Sequence, residues 1–279
     1  YRVESELGHE EAFHLREDED GGIQIVAGGA PGVLYGVNEV LNAHSVVEAE
    51  GVPDFDIRGS VLMMLSASWA YQSELSPERY PWFFNRDLME RYLDYMESAR
   101  LNTLILWSGH LFPHILELPE YPEASRFSVE EIRRNQAQFE WLATECAKRN
   151  ISILTHFYNI HISEDLAEAM GREGEDPTRY EEPNEFVSEY YYTILSRYFE
   201  RFPGVGLYVC PGESLGLEHQ KSWFENVIFK AAKDSGTNPL MVIRDWTLST
   251  EFMEALPNMY ENLYSELKHN DETLTSPWP

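Results

Sequence analysis

The sequence predicts an α/β protein of the (β/α)8 TIM-barrel type, truncated after about six strands and preceded by part of a small α/β domain. Three observations lead there. From Asp56 onward, short apolar runs and helical patterns alternate six times. The runs are continuously apolar, as strands buried on both faces of a parallel sheet are. Polar and aromatic residues gather just after the runs, where a barrel collects its working groups. The competing doubly wound sheet usually announces itself by a G-x-G-x-x-G phosphate turn, and no such turn occurs.

The elements follow in order. "EAFHLRED" (11–18) and "GGIQIVAG" (21–28) are strand-like runs separated by an acidic turn. In "APGVLYGVNEVLNAH" (30–44), Val33, Leu34, Val37, Val40 and Leu41 recur at helical spacing. Gly32 and Gly36 suggest that this helix lies close against a sheet. Residues 48–56 read as a linker, so the expected boundaries are 1–52 for the end of the small domain and 53–279 for the barrel. Barrel strands are expected at 57–65, 102–107, 151–157, 205–210, 240–246 and 262–269. Helices are expected at 86–100, 128–150, 184–202, 219–236 and near 248–256. The helix at 128 opens with Ser128 and Glu131, the spacing of a capping box. A full barrel takes about 250 residues, so strands seven and eight are expected outside this sequence.

Bulk composition narrows the function. The formal charge is −27, and only five of the 21 basic residues are lysines. Such a surface repels nucleic acid and anionic lipid headgroups, which excludes both as expected partners. No apolar run approaches the roughly 18 residues needed to cross a membrane. Cys146 and Cys210 fall in a helix and a strand, where each reads as a small buried hydrophobe rather than half of a disulfide. That fits a reducing compartment. No signal peptide is visible in the chain, which leaves a cytoplasmic or periplasmic location open.

The chemistry is read at the strand ends. Strand one leads to Ser68, Trp69 and Tyr71, and strand two to Trp107, Ser108 and His110. Strand three brings His156, Tyr158, Asn159 and His161, and strand four brings Glu213. Strand five supplies Arg244, Asp245 and Trp246, and strand six Lys268, His269, Asn270, Asp271 and Glu272. His156 and His161 stand five apart and could bind zinc, but no H-E-x-x-H and no phosphate loop accompany them. The reading taken is no metal and no cofactor.

Carboxylates, planar aromatics and hydrogen-bonding or cationic side chains remain, and these are the parts of a sugar site. Glycoside cleavage needs one carboxylic acid to protonate the leaving oxygen and a second carboxylate to activate water or attack carbon. In "LYVCPGESLGL" (207–217) a Pro-Gly turn stops an apolar strand and places Glu213 at its tip. Partial desolvation there would raise its pKa, as a general acid requires. Trp69, Trp107, Tyr158 and Trp246 would stack on sugar rings, with His110, His156, Asn159, Asp245 and Asn270 completing the binding set. Arg244 and Lys268 would hold a sugar carboxylate. Arg58, early in its strand, could instead pair with Asp54 or Asp56 at the other end of the barrel.

This order of features resembles the family 67 α-glucuronidases. "IQIVAGGAPGVLYGVNEVLNA" is similar to the end of the small α/β domain that precedes their barrel, and "DIRGSV" to the opening of their first barrel strand. "IRDW" followed by "ELKHNDE" is similar to their Arg-containing strand five and the Lys-Asn and acidic residues after strand six. Related appended domains occur in families 20 and 115. The resemblance implies an exo-acting glycoside hydrolase that removes a terminal glucuronic-like residue from a poly- or oligosaccharide. It assigns the general acid to Glu213 and the base to Asp271 or Glu272. The chain has Lys-His-Asn-Asp-Glu where the family has Lys-Asn-Gly and a more distant Asp. Family 20 hexosaminidases carry Asp-Glu at strand four; Gly212 stands before Glu213 here, which argues against a hexosaminidase. Two alternatives stay open, a non-catalytic carbohydrate-binding barrel and a hexosaminidase-like glycosidase. A homodimer is possible for such enzymes.

Overall fold

The computed structural model describes residues 2–3, 7–18, 20–43, 48–64, 75–109, 111–158, 160–174, 176–211, 215–245 and 248–267. Near the N-terminus, β1 (Arg2–Val3), β2 (Phe13–Glu17), β3 (Ile23–Ala27) and β4 (Ala49–Gly51) form a sheet in the order β1-β3-β2-β4. Helix α1 (Ala30–Asn42) closes a core of Phe13, Leu15, Ala27 and Tyr35. Its glycines are required by the approach to the sheet. A Cβ on Gly32 would stand 2.2 Å from the Ala12 carbonyl oxygen, and one on Gly36 would stand 2.7 Å from Ile25. The stretch expected as a linker instead begins with β4, which pairs with Phe13, His14 and Leu15. Three residues are too few to show alternation in a sequence.

A second sheet has six strands in the order β12-β11-β10-β7-β6-β5. These are β5 (Gly59–Met64), β6 (Thr103–Ser108), β7 (Ser152–Tyr158), β10 (Val205–Cys210), β11 (Met241–Asp245) and β12 (Leu263–Leu267). Strands β7, β10, β11 and β12 pair in parallel register, with Tyr208 beside both His156 and Val242. This is the architecture of a truncated TIM-like barrel, as the sequence predicts. A short antiparallel hairpin, β8 (Ile160–His161) with β9 (Arg179–Tyr180), follows β7. Helices α2 (Pro81–Phe84), α3 (Arg86–Ser98), α4 (Phe112–Ile115), α5 (Val129–Lys148), α6 (Glu164–Ala169) and α7 (Glu185–Arg201) come between the strands. After β10, α8 (Leu217–Trp223) runs through a π-turn at Phe224–Ile228 into α9 (Phe229–Ser235), which ends at the left-handed Gly236. Then comes α10 (Thr250–Met259).

The predicted helix signals act as such. Ser128 and Glu131 form a reciprocal capping box, with Ser128 N–H donating to Glu131 Oε2 at 2.9 Å and Glu131 N–H to Ser128 Oγ at 3.3 Å. Asn85, Asn184 and Ser249 cap α3, α7 and α10 through their side-chain oxygens, each contributing about 1 kcal/mol. Helix α7 packs an aromatic face on the sheet. Tyr190, Tyr191, Tyr198 and Phe199 are fully buried, and the Tyr198 hydroxyl lies 2.7 Å from Thr155 Oγ1 on β7. Strands β5 and β12 end the sheet, each with one neighbour among the described residues. On β5, Val61 and Met63 expose 44% and 57% of their surface.

The chain divides into two compact units, 1–60 with 85–104 and 144–152, and 61–84 with 105–143 and 153–279. At the centre of the first, Glu11 is almost wholly buried. Its Oε2 accepts from Arg58 Nη2 at 2.6 Å. Its Oε1 accepts from the Asn102 and Asn150 side-chain amides, both at 3.0 Å. Arg58 also donates to the Arg100 and Phe55 carbonyls. Its partner is therefore Glu11, not Asp54 or Asp56, and it serves the fold rather than a sugar. Arg100 and Asn150 adopt left-handed φ angles of 57° and 55° after α3 and α5. At both places the next residue's N–H bonds back into the helix, Leu101 to Met96 and Ile151 to Cys146, closing Schellman turns that aim the chain into β6 and β7.

Replacing Glu11 with Gln leaves the half-buried Arg58 guanidinium without its counter-charge. Such losses cost about 3–5 kcal/mol, so the urea midpoint should fall sharply; an unchanged midpoint would mean that the network adds nothing to stability.

Candidate functional site

The described strand ends bring five side chains together on one face of the six-stranded sheet. Trp107 near the end of β6 stacks on His156 of β7, with ring centroids 4.1 Å apart and planes 16° from parallel. His156 also stacks on Tyr158 and Tyr208, at 5.7 and 5.8 Å. The Arg244 guanidinium lies over the Trp107 ring at 5.4 Å. The Tyr208 hydroxyl donates to Glu266 on β12, the register partner of Arg244. The result is an aromatic platform flanked by one cation and one carboxylate at the C-terminal ends of the strands, the end where barrels act.

Each position has a local cause. Residues two apart on a strand share a face, so the apolar β7 run turns Thr155 and Phe157 toward α7 and His156 and Tyr158 to the other side. Phe157 meets Tyr191 of α7 at 5.0 Å, which fixes that alternation. His156 is buried, and its Nδ1 pairs with the Ser108 carbonyl at 2.9 Å. Nδ1 therefore carries the proton and Nε2 is an acceptor, with no partner among the described residues. Burial holds the imidazole neutral, its pKa pushed down to about 4. Burial beside the Glu266 carboxylate raises the Tyr208 pKa, so its phenol stays protonated.

Of the residues expected from sequence, Trp107, His156, Tyr158 and Arg244 belong to this group. Asp245, the next residue on β11, is directed to the opposite face. Trp69, His110, Asn159, Glu213, Trp246, Lys268, Asn270, Asp271 and Glu272 lie outside the described residues. His161 is turned to the β8–β9 hairpin, where its Nδ1 lies 3.4 Å from Thr178 Oγ1. Among the described residues no group of three or more His, Cys, Asp or Glu is placed to hold a metal ion. Cys146 and Cys210 are buried and not joined in a disulfide, and burial raises the Cys146 thiol to about 12. Tyr208 and Glu266 were not among the expected site residues. Tyr208 sits within a fully buried run, and Glu266 precedes the polar cluster that drew attention.

No protein-family model matches the chain, and no curated protein does. Solved structures do. A family 138 glycoside hydrolase targeting pectin rhamnogalacturonan II superposes with a TM-score of 0.85 at 26% identity, over 95% of this chain and 33% of that one. The chain has a glycoside hydrolase fold. A family 20 β-N-acetylglucosaminidase aligns over 96% of this chain and 64% of its own, with a TM-score of 0.59 and 15% identity. A β-N-acetylhexosaminidase from Bacteroides fragilis gives 0.57 and 14%, over 92% of this chain and 55% of its own. At those identities the family 20 likeness is one of fold. The chain thus spans a third of the length of the family 138 structure. Residues 212–216, "GESLG", also have the G-x-S-x-G spacing of a nucleophile elbow.

Three buried imidazoles, His114, His156 and His161, are each held to about 4 by desolvation. Their pKa values are depressed on folding, so the unfolded chain takes up more protons below about pH 6.5, and stability is lost as pH falls. Each histidine adds up to about 1.4 kcal/mol per pH unit. Urea midpoints should therefore drop between pH 6.5 and 5, and His156→Gln should flatten that slope; an equal slope in the variant would place the protonation elsewhere.

Proposed function

We propose that this chain is the barrel part of an exo-acting glycoside hydrolase that removes a terminal uronic-acid, glucuronic-like residue from a pectin-type polysaccharide. The observation that carries this is the Arg244 guanidinium set over the aromatic platform of Trp107, His156 and Tyr208. A sugar ring packs on such a platform, and a guanidinium at its edge is a fitted partner for a ring carboxylate. The similarity of nearly the whole chain to an enzyme targeting a pectic polysaccharide supports the same substrate class. The resemblance of the motifs "DIRGSV", "IRDW" and "ELKHNDE" to family 67 α-glucuronidases, read from sequence alone, points the same way. In this reading residues 1–52 end a small α/β domain and 53–279 belong to the catalytic barrel.

Glu213, just beyond the end of β10, serves as general acid, and Asp271 or Glu272, beyond β12, as base. Neutral His156 supports the platform from within, stacked on Trp107 and Tyr158. It does not compete with Glu213 as proton donor, because burial keeps it from taking up a second proton near neutral pH. A hexosaminidase-like reading has fold in its favour, but Gly212 stands where family 20 places the Asp that assists the N-acetyl group.

Two measurements on the full-length protein test this. Glu213→Gln should keep the melting curve and lower turnover of aryl uronides by about 10²–10⁴-fold, the usual contribution of a general acid. Activity within threefold of wild type would return Glu213 to a structural role.

Arg244→Met should lower kcat/KM for uronides by about 10–150-fold, the worth of one charged hydrogen-bonded contact, with little effect on neutral glycosides. If the preference for uronides stays as it was, the substrate class is wrong.

A further inference from the structure

A cleft of about 840 Å³ lies beside the exit of β10, in the size range of ligand sites. One side is the β8–β9 hairpin with Arg172, Asp176 and Arg179. The other sides are Glu181, Glu182 and Asn184 leading into α7, and Gly216, Glu218 and His219 opening α8. Gly216 comes three residues after Glu213 in the chain.

The walls are tied together. Gly216 N–H donates to the Glu181 carbonyl at 3.3 Å, and His219 Nε2 lies 3.4 Å from Glu182 Oε2. Arg172 is a structural pin. It donates to the Pro177 and Arg179 carbonyls, at 2.6 and 2.9 Å, and covers the Tyr180 ring at 3.7 Å. Arg179 is shared between Asp176 at 3.6 Å and Glu181 at 3.8 Å. Both guanidiniums are thus matched by protein groups. The side chains of Glu181, Glu182 and Glu218 stay more than 70% exposed toward solvent.

That balance selects a ligand class. Four carboxylates face two committed guanidiniums and one imidazole, so an anionic sugar meets net repulsion. Carboxylates are acceptors only and suit the vicinal hydroxyls of an uncharged sugar, while Asn184, Tyr180 and His219 border the same space. We infer that this cleft binds the neutral sugar residue that carries the terminal uronic acid, on the leaving-group side of the bond Glu213 protonates. The inference rests on the proposed glycosidase reading and adds to it a charge rule, acid in the first site and neutral sugar in the second.

The test compares two substrates in the full-length protein, an aryl uronide and a uronic acid linked to a neutral oligosaccharide. With Glu182→Gln/Glu218→Gln, kcat/KM should fall at least tenfold for the oligosaccharide, mainly through KM, and less than twofold for the aryl uronide, which has no leaving-group sugar. Equal losses on both, or none on either, overturn the inference. If wild type cleaves neither substrate, the hydrolase reading fails and calorimetry decides the cleft separately. A neutral oligosaccharide should bind wild type and lose at least tenfold in the double variant. No binding, or tighter binding of an oligogalacturonide or a cationic glucosamine oligomer, overturns the neutral-sugar assignment.

Discussion

The buried Glu11 carboxylate is the constraint from which much of the described fold follows. It draws on Arg58, Asn102 and Asn150, residues that stand immediately ahead of β5, β6 and β7. A buried charge is tolerated only when paired and fully hydrogen-bonded, so the three strand entries must come to one point. The register of the strands at their N-terminal ends is thereby coupled to one side chain. The left-handed turns at Arg100 and Asn150 serve the same end, since each delivers its strand start to that point in two residues. The Glu11 network lies at one end of the strands and the candidate site at the other, the division typical of this architecture.

At the functional end, neutral groups do most of the arranging. His156 is pinned by a backbone carbonyl and stacked on aromatic rings, so it is a fixed, neutral part of the platform rather than a titrating group. Arg244 spans the face from β11 to reach Trp107 on β6. Glu266, the register partner of Arg244 and bonded to Tyr208, adds a carboxylate on the same face of the sheet. In the proposed reading a bound sugar would find an apolar face, one cation and one carboxylate already oriented, which is how a site limits the entropy cost of binding.

Much of this was legible in the sequence, for physical reasons. Strands buried on both faces write themselves as unbroken apolar runs, and β6, β7 and β10 are such strands; the remaining expected runs also coincide with strands of the sheet, although β5 exposes Val61 and Met63. The capping box at Ser128 and Glu131 and the close-packing glycines of α1 are local effects, and they read correctly. The short elements did not. β4, the β8–β9 hairpin, α4 and α6 are held by tertiary contacts and are too brief for periodicity to reveal. The partner of Arg58 was also hidden, because Glu11 lies 47 positions away and nearby Asp54 and Asp56 offered the same charge. Tyr208 was masked by its own strand, where a phenol among Leu, Val and Cys looks like core.

The acidic composition gives the described surface a second meaning. A charge of −27 is carried with only five lysines, and the side chains of Glu181, Glu182 and Glu218 stand open to solvent. Copies of such a chain repel one another before any surface can meet. That repulsion reaches only as far as the Debye length, about 10 Å at 0.1 M salt and 3 Å at 1 M. The ionic strength of the surroundings thus becomes a setting for how closely copies crowd together.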